Sequence, residues 1–560
     1  MPCVCLNRHC KTSIAFYMPT EILDAVQPSV QTVSTRSAWR TMLVLATLLL
    51  VIYAWFPTRN HYWDGIGFAL NIEGLGEDRQ GVVRNQGDFK GISSIYFNPN
   101  HLFYNLLGHL IYKPLQSVFP KLRAHDMLRG ISSLLSVGTA CLLFLALFRW
   151  CKDSRLSLFL TLLMALSATW WKFSTDANAY VPSTFLLMLA TFLLTNPERR
   201  PSEWQVGLLH ALSMLLHQVS IFFLPAAVVA LWIHSGNQER REKKRAVLGY
   251  LLAAGIPVAA AYAWVWFGLL GEGWSSERFI AWLTSNGGDT FAFKSIGANV
   301  LETLRSLLRV FFGGRIKLAL MYVEFPVLVA LGCVMLSSLA WLLWSLRQHV
   351  GAAKLRQSSR EYLPPAMKFL AVWAGVFTVF LFVWLTEYSY YRLFYLPAVI
   401  FLIGVGVVRL GGQATTILGA IVVFMATFNF TAYIYPYAQD DATPPVRLAK
   451  DAAAIWTGDV VVLYKDFTCD NWIMRHFNPD TVWIQADLTN QETFSAHFQS
   501  AKARNQQVWV DTTLLGELKY KPEMHDWFAN YGKFSKPLGL VSKKHHIQFV
   551  QVVAHTDSSD

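Results

Sequence analysis

The sequence predicts an α-helical membrane protein of about eleven spans that ends in a small α/β domain. Three observations predict it. Apolar runs long enough to cross a bilayer recur over the first 434 residues. Charged residues make up only 15% of the chain, against roughly 25% in soluble domains. Beyond Ile434 the hydropathy drops, Pro436, Pro444 and Pro445 mark a linker, and the pattern changes to short β-rich runs.

The first run, Thr41 to Phe56, spans a bilayer if its flanks contribute slightly. Others follow at about 128–148, 156–172, 180–195, 204–217, 219–234, 247–269, 323–346, 368–386, 395–409 and 413–434. A twelfth, 101–118, is ambiguous, and positive charge decides it. The connectors holding Arg149, Lys152 and Arg155, Arg199 and Arg200, Arg240 to Arg245, and Arg347 to Lys368 belong on the cytoplasmic side. They fall there, together with the N-terminus, only if 101–118 lies on the outer surface as a juxtamembrane helix. The expected domains are therefore a disordered cytoplasmic leader over 1–40 (with Met18 a second candidate start), a transmembrane domain over 41–434 with an outer loop at 58–127, and an extracytoplasmic domain over 435–560.

The net charge of +12 does not point to nucleic acid. From Tyr435 onward the chain carries 12 Lys+Arg and 15 Asp+Glu, so the excess sits in the membrane part, largely in short loops where it orients spans and meets anionic headgroups. Seven cysteines show no disulfide framework; Cys3, Cys5 and Cys10 fall in the leader, Cys141 and Cys333 in apolar runs, and Cys469 in the tail. In that tail 459–464, 481–484, 507–510 and 547–553 read as strands, with helices over Gln491–Arg504 and Pro522–Tyr531. That alternation predicts a mainly parallel sheet. It contains no Gly-rich nucleotide fingerprint and no metal-ligand spacing; His545 and His546 read as an exposed strand edge.

Polar residues of unusual placement collect on the outer face. Asp64 opens the first outer loop. A carboxylate there can take a proton from a hydroxyl or amine nucleophile, hold a cation, or simply hydrate. Asp176 and Asn178 lie in a turn after Trp170-Trp171-Lys172-Phe173, which reads as an aromatic belt at the headgroup level. The pair would bind a sugar, a metal or a partner loop, or cap the turn. Arg392, within Tyr388 to Pro397, is suited to gripping a lipid phosphate or to anchoring at headgroups. His210 and His217 lie seven apart on one helical face, as packed histidines or a proton relay.

Taken together these features resemble the GT-C superfamily of membrane glycosyltransferases that use polyprenyl-phosphate-linked sugars. The resemblance is carried by Tyr62-Trp63-Asp64-Gly65 after the first span, by Asn98-Pro99-Asn100-His101-Leu102-Phe103-Tyr104 before the juxtamembrane helix, by Asp176-Ala177-Asn178-Ala179-Tyr180, and by the late Arg392. It covers roughly 40–434 and is nearest to the bacterial group acting on lipid A, lipopolysaccharide core and mannosyl or arabinosyl transfer. The chain departs from the family at Gly65, where many members have a second acidic residue, and at Pro99-Asn100 in place of a double proline.

The resemblance implies roles. Asp64 is the general base or acceptor-orienting group. Arg392, with His101, Tyr104 and Lys172, serves the donor phosphate, and Asp176, Asn178 and Tyr180 form the second acidic motif. The implied activity is inverting hexosyl or pentosyl transfer from a polyprenyl-phosphate sugar to a glycan, lipid or protein acceptor bearing a hydroxyl or amine. It would take place on the outer face of a bacterial inner membrane. With Arg392 to neutralise the leaving phosphate, no cofactor and no metal are expected. The alternatives are a transporter or flippase of a lipid-linked glycan, which would line a path through the membrane with polar groups, and a non-catalytic scaffold.

Overall fold

The computed structural model describes residues 35–75, 96–196, 201–234, 239–284, 294–353, 368–439, 443–464, 469–485, 491–512, 533–535, 538–541 and 546–553. The three leader cysteines, Met18, Gly287-Gly288-Asp289, the helix expected over Pro522–Tyr531 and His545 lie outside them.

Each of the eleven apolar runs forms helix. In chain order the helices are α1 (Thr35–Trp55), α2 (Trp63–Glu73), α3 (Tyr104–Val118), α4 (Ala124–Cys151), α5 (Ser154–Ala165), α6 (Ala168–Ser174), α7 (Tyr180–Leu194), α8 (Glu203–Leu216), α9 (Leu224–His234) and α10 (Arg240–Ala263). Then come α11 (Ser276–Leu283), α12 (Ile296–Phe311), α13 (Ile316–Tyr322), α14 (Phe325–Ala353), α15 (Lys368–Val383), α16 (Leu396–Leu410) and α17 (Gly412–Asn429). Among the described residues six helical segments are long and apolar enough to cross a membrane, or seven if α5 and α6 form one broken span. Three more, Tyr180–Leu194, Gln218–His234 and Lys368–Val383, are apolar but shorter. The protein is an integral membrane protein. α1 shows the packing logic: Ala38, Met42, Leu45, Leu49 and Tyr53 face Val137, Ala140 and Phe144 of α4. Its other side exposes Leu43, Val44, Leu48, Val51 and Trp55, an apolar surface too large for water.

α3 occupies the ambiguous run. It buries Tyr104, Asn105, Gly108 and Tyr112 and exposes Leu107, Leu110, Ile111, Leu115 and Val118, the two-faced pattern expected of a helix lying along a surface. Between α5 and α6 the chain bends by 71°. Asn429, wholly buried, clasps this break: its amide donates to the carbonyls of Leu166 (3.0 Å) and Phe311 (2.7 Å). The bend turns α6 into the protein, so Trp170 and Trp171 are buried rather than forming the aromatic belt the sequence suggested.

The tail builds a sheet of order β2-β1-β3-β6-β4, with β5 also on β6. The strands are β1 (Val460–Tyr464), β2 (Val482–Gln485), β3 (Gln507–Asp511), β4 (Lys533–Phe534), β5 (Leu538–Val541) and β6 (His546–Val553). Helices α18 (Pro444–Ile455), α19 (Cys469–Phe477) and α20 (Gln491–Ala503) accompany them. β1 pairs parallel with β2 and β3 and is buried along its whole length, as a strand covered on both faces must be. The sheet is mixed rather than mainly parallel. The short link from β5 to β6 leaves no room for a crossover, so β6 runs antiparallel to β5 and to β3.

Besides α3, the loop expected over 58–127 holds a second helix, α2. Two residues of α2, Ile66 and Leu70, join the core made by Val446, Ala449, Trp456, Val462, Tyr464, Trp472 and Ile473. Across the same junction Arg123 donates to both Glu73 oxygens (2.9 and 2.7 Å) and to the carbonyl of His476 (2.8 Å). The tail domain, chiefly through Trp472 of α19, is thus packed directly on the helix that carries Asp64.

Candidate active site

Asp64 sits in the first turn of α2, where the helix dipole favours a carboxylate. It is half-buried, and its charge reaches the phenols of Tyr62, Tyr180, Tyr390 and Tyr391. Those phenols form one aromatic group. The hydroxyls of Tyr62 and Tyr180 are 3.0 Å apart, and the Tyr390 ring lies 5.3 Å from Tyr62, 5.2 Å from Tyr180 and 4.8 Å from Tyr391. Burial first, and then Asp64, push the Tyr62 phenol well above its ordinary pKa, so it stays protonated as a hydrogen-bond donor.

Gly65 follows because nothing larger fits. A Cβ there would stand 2.2 Å from the carbonyl oxygen of Ala177. α2 therefore lies backbone-to-backbone on the 176–178 turn, and the second acidic residue common in the resembling family has no space.

Asp176 is fully buried beneath that contact. One carboxylate oxygen, Oδ2, accepts the backbone N–H of Tyr62 (2.8 Å) and lies 3.9 Å from Lys172 Nζ. The other, Oδ1, accepts the Ala177 N–H (2.9 Å) and lies 3.3 Å from His125 Nε2 and 4.0 Å from His61 Nδ1. Burial works to raise its pKa, but His125 and then Lys172 outweigh it, and the carboxyl is held below its usual range. His61 is pushed well below the ordinary histidine value, first by burial and then by His125; burial does the same to His476.

Asn178 caps α7. Its Oδ1 accepts the Val181 N–H (2.9 Å), and its amide donates to the carbonyls of Phe173 (2.6 Å) and Asp176 (2.9 Å). The buried Tyr104 hydroxyl donates to the Asn178 carbonyl (2.8 Å). Lys172 Nζ also lies 4.9 Å from the Phe173 ring and 5.5 Å from the Tyr62 ring. His101 is buried with its ring 4.9 Å from Phe68 and 4.4 Å from His217. His210 is bonded by Tyr250 Oη (2.7 Å) and the Ser220 carbonyl (2.8 Å), which fits packed histidines better than a relay.

Arg392 is 1% exposed. It lies in the 3₁₀ turn Tyr390–Tyr395 that leads into α16, and donates to Ser306 Oγ (2.7 Å), Tyr395 Oη (2.8 Å) and the Thr386 carbonyl (3.1 Å). It is therefore not at the surface where the sequence suggested a headgroup anchor. The three expected elements are linked through neighbouring residues. Asp176 binds the residue two before Asp64, and Asp64 faces tyrosines one and two residues before Arg392.

Sequence reasoning missed His61 and His125 as partners of Asp176. They are separated along the chain by 64 and 51 positions, and no motif spacing joins them.

No known family profile matches the chain, and no curated protein matches it. Among solved structures it is similar to ArnT from Cupriavidus metallidurans in the apo state, with a TM-score of 0.56 at 12% identity over 93% of this chain and 99% of that one. The same enzyme bound to undecaprenyl phosphate gives a TM-score of 0.54 at 12% identity, over 92% and 98%. Over nearly the whole length of both proteins, then, this chain has the GT-C fold.

Proposed function

We propose that this protein is an inverting glycosyltransferase moving a sugar from a polyprenyl-phosphate donor to a hydroxyl- or amine-bearing acceptor on the outer face of the membrane. The observation that carries the reading is the meeting of Asp64 with the Tyr390–Tyr391 turn beside Arg392, in a chain whose fold matches ArnT bound to undecaprenyl phosphate. The proposed topology keeps eleven spans with the N-terminus in the cytoplasm and the sheet domain outside, in a bacterial inner membrane.

The donor's tail lies in an open apolar groove of about 520 Å³ lined by Phe222, Val372, Gly375, Val376, Val379 and Phe380. From there Phe380 packs on Trp384 (4.9 Å) and Trp384 on Tyr391 (4.7 Å), which leads to Asp64. The acceptor oxygen or nitrogen attacks the anomeric carbon as the bond to the phosphate oxygen breaks. The bonding pair leaves on the phosphate, and the acceptor's proton passes to Asp64. Arg392 neutralises the departing charge through guanidinium N–H groups beyond the three it uses in the resting chain, with Lys172 and His101 assisting. This stabilisation is the larger catalytic term. No metal at the phosphate is needed.

The test is transfer from a panel of radiolabelled polyprenyl-phosphate sugars by purified protein and by Asp64→Asn, with membrane lipid and glycan extract as acceptor. Transfer that disappears in the variant while donor binding survives supports the reading. Absence of transfer from every donor by folded native protein removes it.

A further inference from the structure

We propose that His217 holds the donor's phosphate through its Nε2–H, which donates to a non-bridging phosphate oxygen; the assignment rests on the reaction proposed above. His217 is 2% exposed and joins α8 to the 3₁₀ turn Gln218–Phe223. Its Nδ1 accepts the backbone N–H of Val219 (3.3 Å). A ring nitrogen that accepts carries no proton, so the imidazole is neutral and its one N–H is at Nε2. Among the described residues that buried Nε2 has no hydrogen-bond partner. His210 differs, because both of its nitrogens are bonded. A buried donor left unpaired is destabilising, and an incoming oxygen removes that cost.

The surroundings of His217 say which oxygen. Its ring lies 5.0 Å from Tyr180, 4.8 Å from Phe394 and 6.0 Å from Tyr391. Tyr180 and Tyr391 are also the phenols that the charge of Asp64 reaches. His217 and Asp64 thus flank one pair of rings. A second link runs toward the lipid. Phe222, in the same 3₁₀ turn as the Val219 amide, lines the apolar groove and stacks on Phe380 at 3.9 Å. The rings from Phe380 through Trp384 to Tyr391 end beside His217, so a tail in the groove brings its headgroup to this imidazole.

A neutral N–H cannot cancel the phosphate charge, which falls to Arg392 and Lys172. With Nδ1 committed to the Val219 amide, the ring is no general base either. What it supplies is a fixed hydrogen bond to a charged oxygen, stronger than one to a neutral partner. His217 would therefore separate a phosphate from an alcohol at the end of the same tail.

The experiment is binding of radiolabelled undecaprenyl phosphate and of undecaprenol to purified full-length protein in detergent. It compares the native chain with His217→Phe and His217→Asn, and thermal midpoints report folding. Phe fills the ring's place without an N–H. Asn keeps an oxygen that can accept the Val219 N–H but falls short of the reach of Nε2. Each folded variant is expected to bind the phosphate about 10–100-fold more weakly, with undecaprenol binding unchanged. A phosphate preference retained in the folded variants overturns the assignment and leaves the donor reading standing. Equal loss of both ligands overturns it too, since that marks packing alone. Native protein that holds the phosphate no better than the alcohol removes the donor reading and this assignment with it.

Discussion

Asp64 and Asp176 are carboxylates of the same side of the protein, tied together through the backbone N–H of Tyr62, yet their surroundings differ in kind. Asp176 is wholly buried, accepts two backbone N–H groups and has His125, His61 and Lys172 within 4.0 Å. Asp64 is half-buried in the first turn of a helix, among phenols. A buried group that already accepts two backbone N–H bonds has less left for a substrate, whereas a partly solvated one can accept a proton. One acidic motif is thus the footing on which the other stands.

The largest effect that would sharpen this contrast is in Asp64→Asn. Loss of a general base lowers transfer by about 10²–10⁴-fold, and the thermal midpoint in detergent should not move. Asp176→Asn should do the reverse in emphasis. Removing one member of a buried charged group destabilises by about 3–5 kcal/mol, read as a lower midpoint and reduced yield of folded protein. If both variants lose only activity, the division of labour is wrong. Gly65→Ala probes the contact between the two: its Cβ, 2.2 Å from the Ala177 oxygen, must push α2 away. A cost of about 1–3 kcal/mol should accompany transfer well below that of the native chain, with donor binding kept. The smallest expected change is in Arg123→Ala, which breaks the bonds to Glu73 and to the His476 carbonyl. About 1–3 kcal/mol is lost, and limited proteolysis should cut faster in the tail beyond Thr443.

Much of this was legible in the residues. The apolar runs marked the helices, and the turn chemistry of Asp176 and Asn178 anticipated the cap on α7. What stayed hidden depended on contacts between distant segments. Trp170 and Trp171 look like a headgroup belt until the bend clasped by Asn429 turns them inward. Arg392 looks like a surface guanidinium until Ser306, from a helix 86 positions earlier, closes over it. Gly65 looks like a lost acidic residue, when the backbone of Ala177 is what excludes a side chain. Hydropathy reports the environment of a segment, not the partner that a single side chain meets.

Gly67 has the Trp472 ring where its own side chain would be, 3.0 Å from an added Cβ, and Ile66 and Leu70 complete the same packing. The tail is consequently not detachable cargo. A chain cut at Ile434 would leave the helix of Asp64 with one wall missing and apolar side chains in water. Deleting the tail is therefore expected to destabilise the helix that carries Asp64, not merely to remove an appendage.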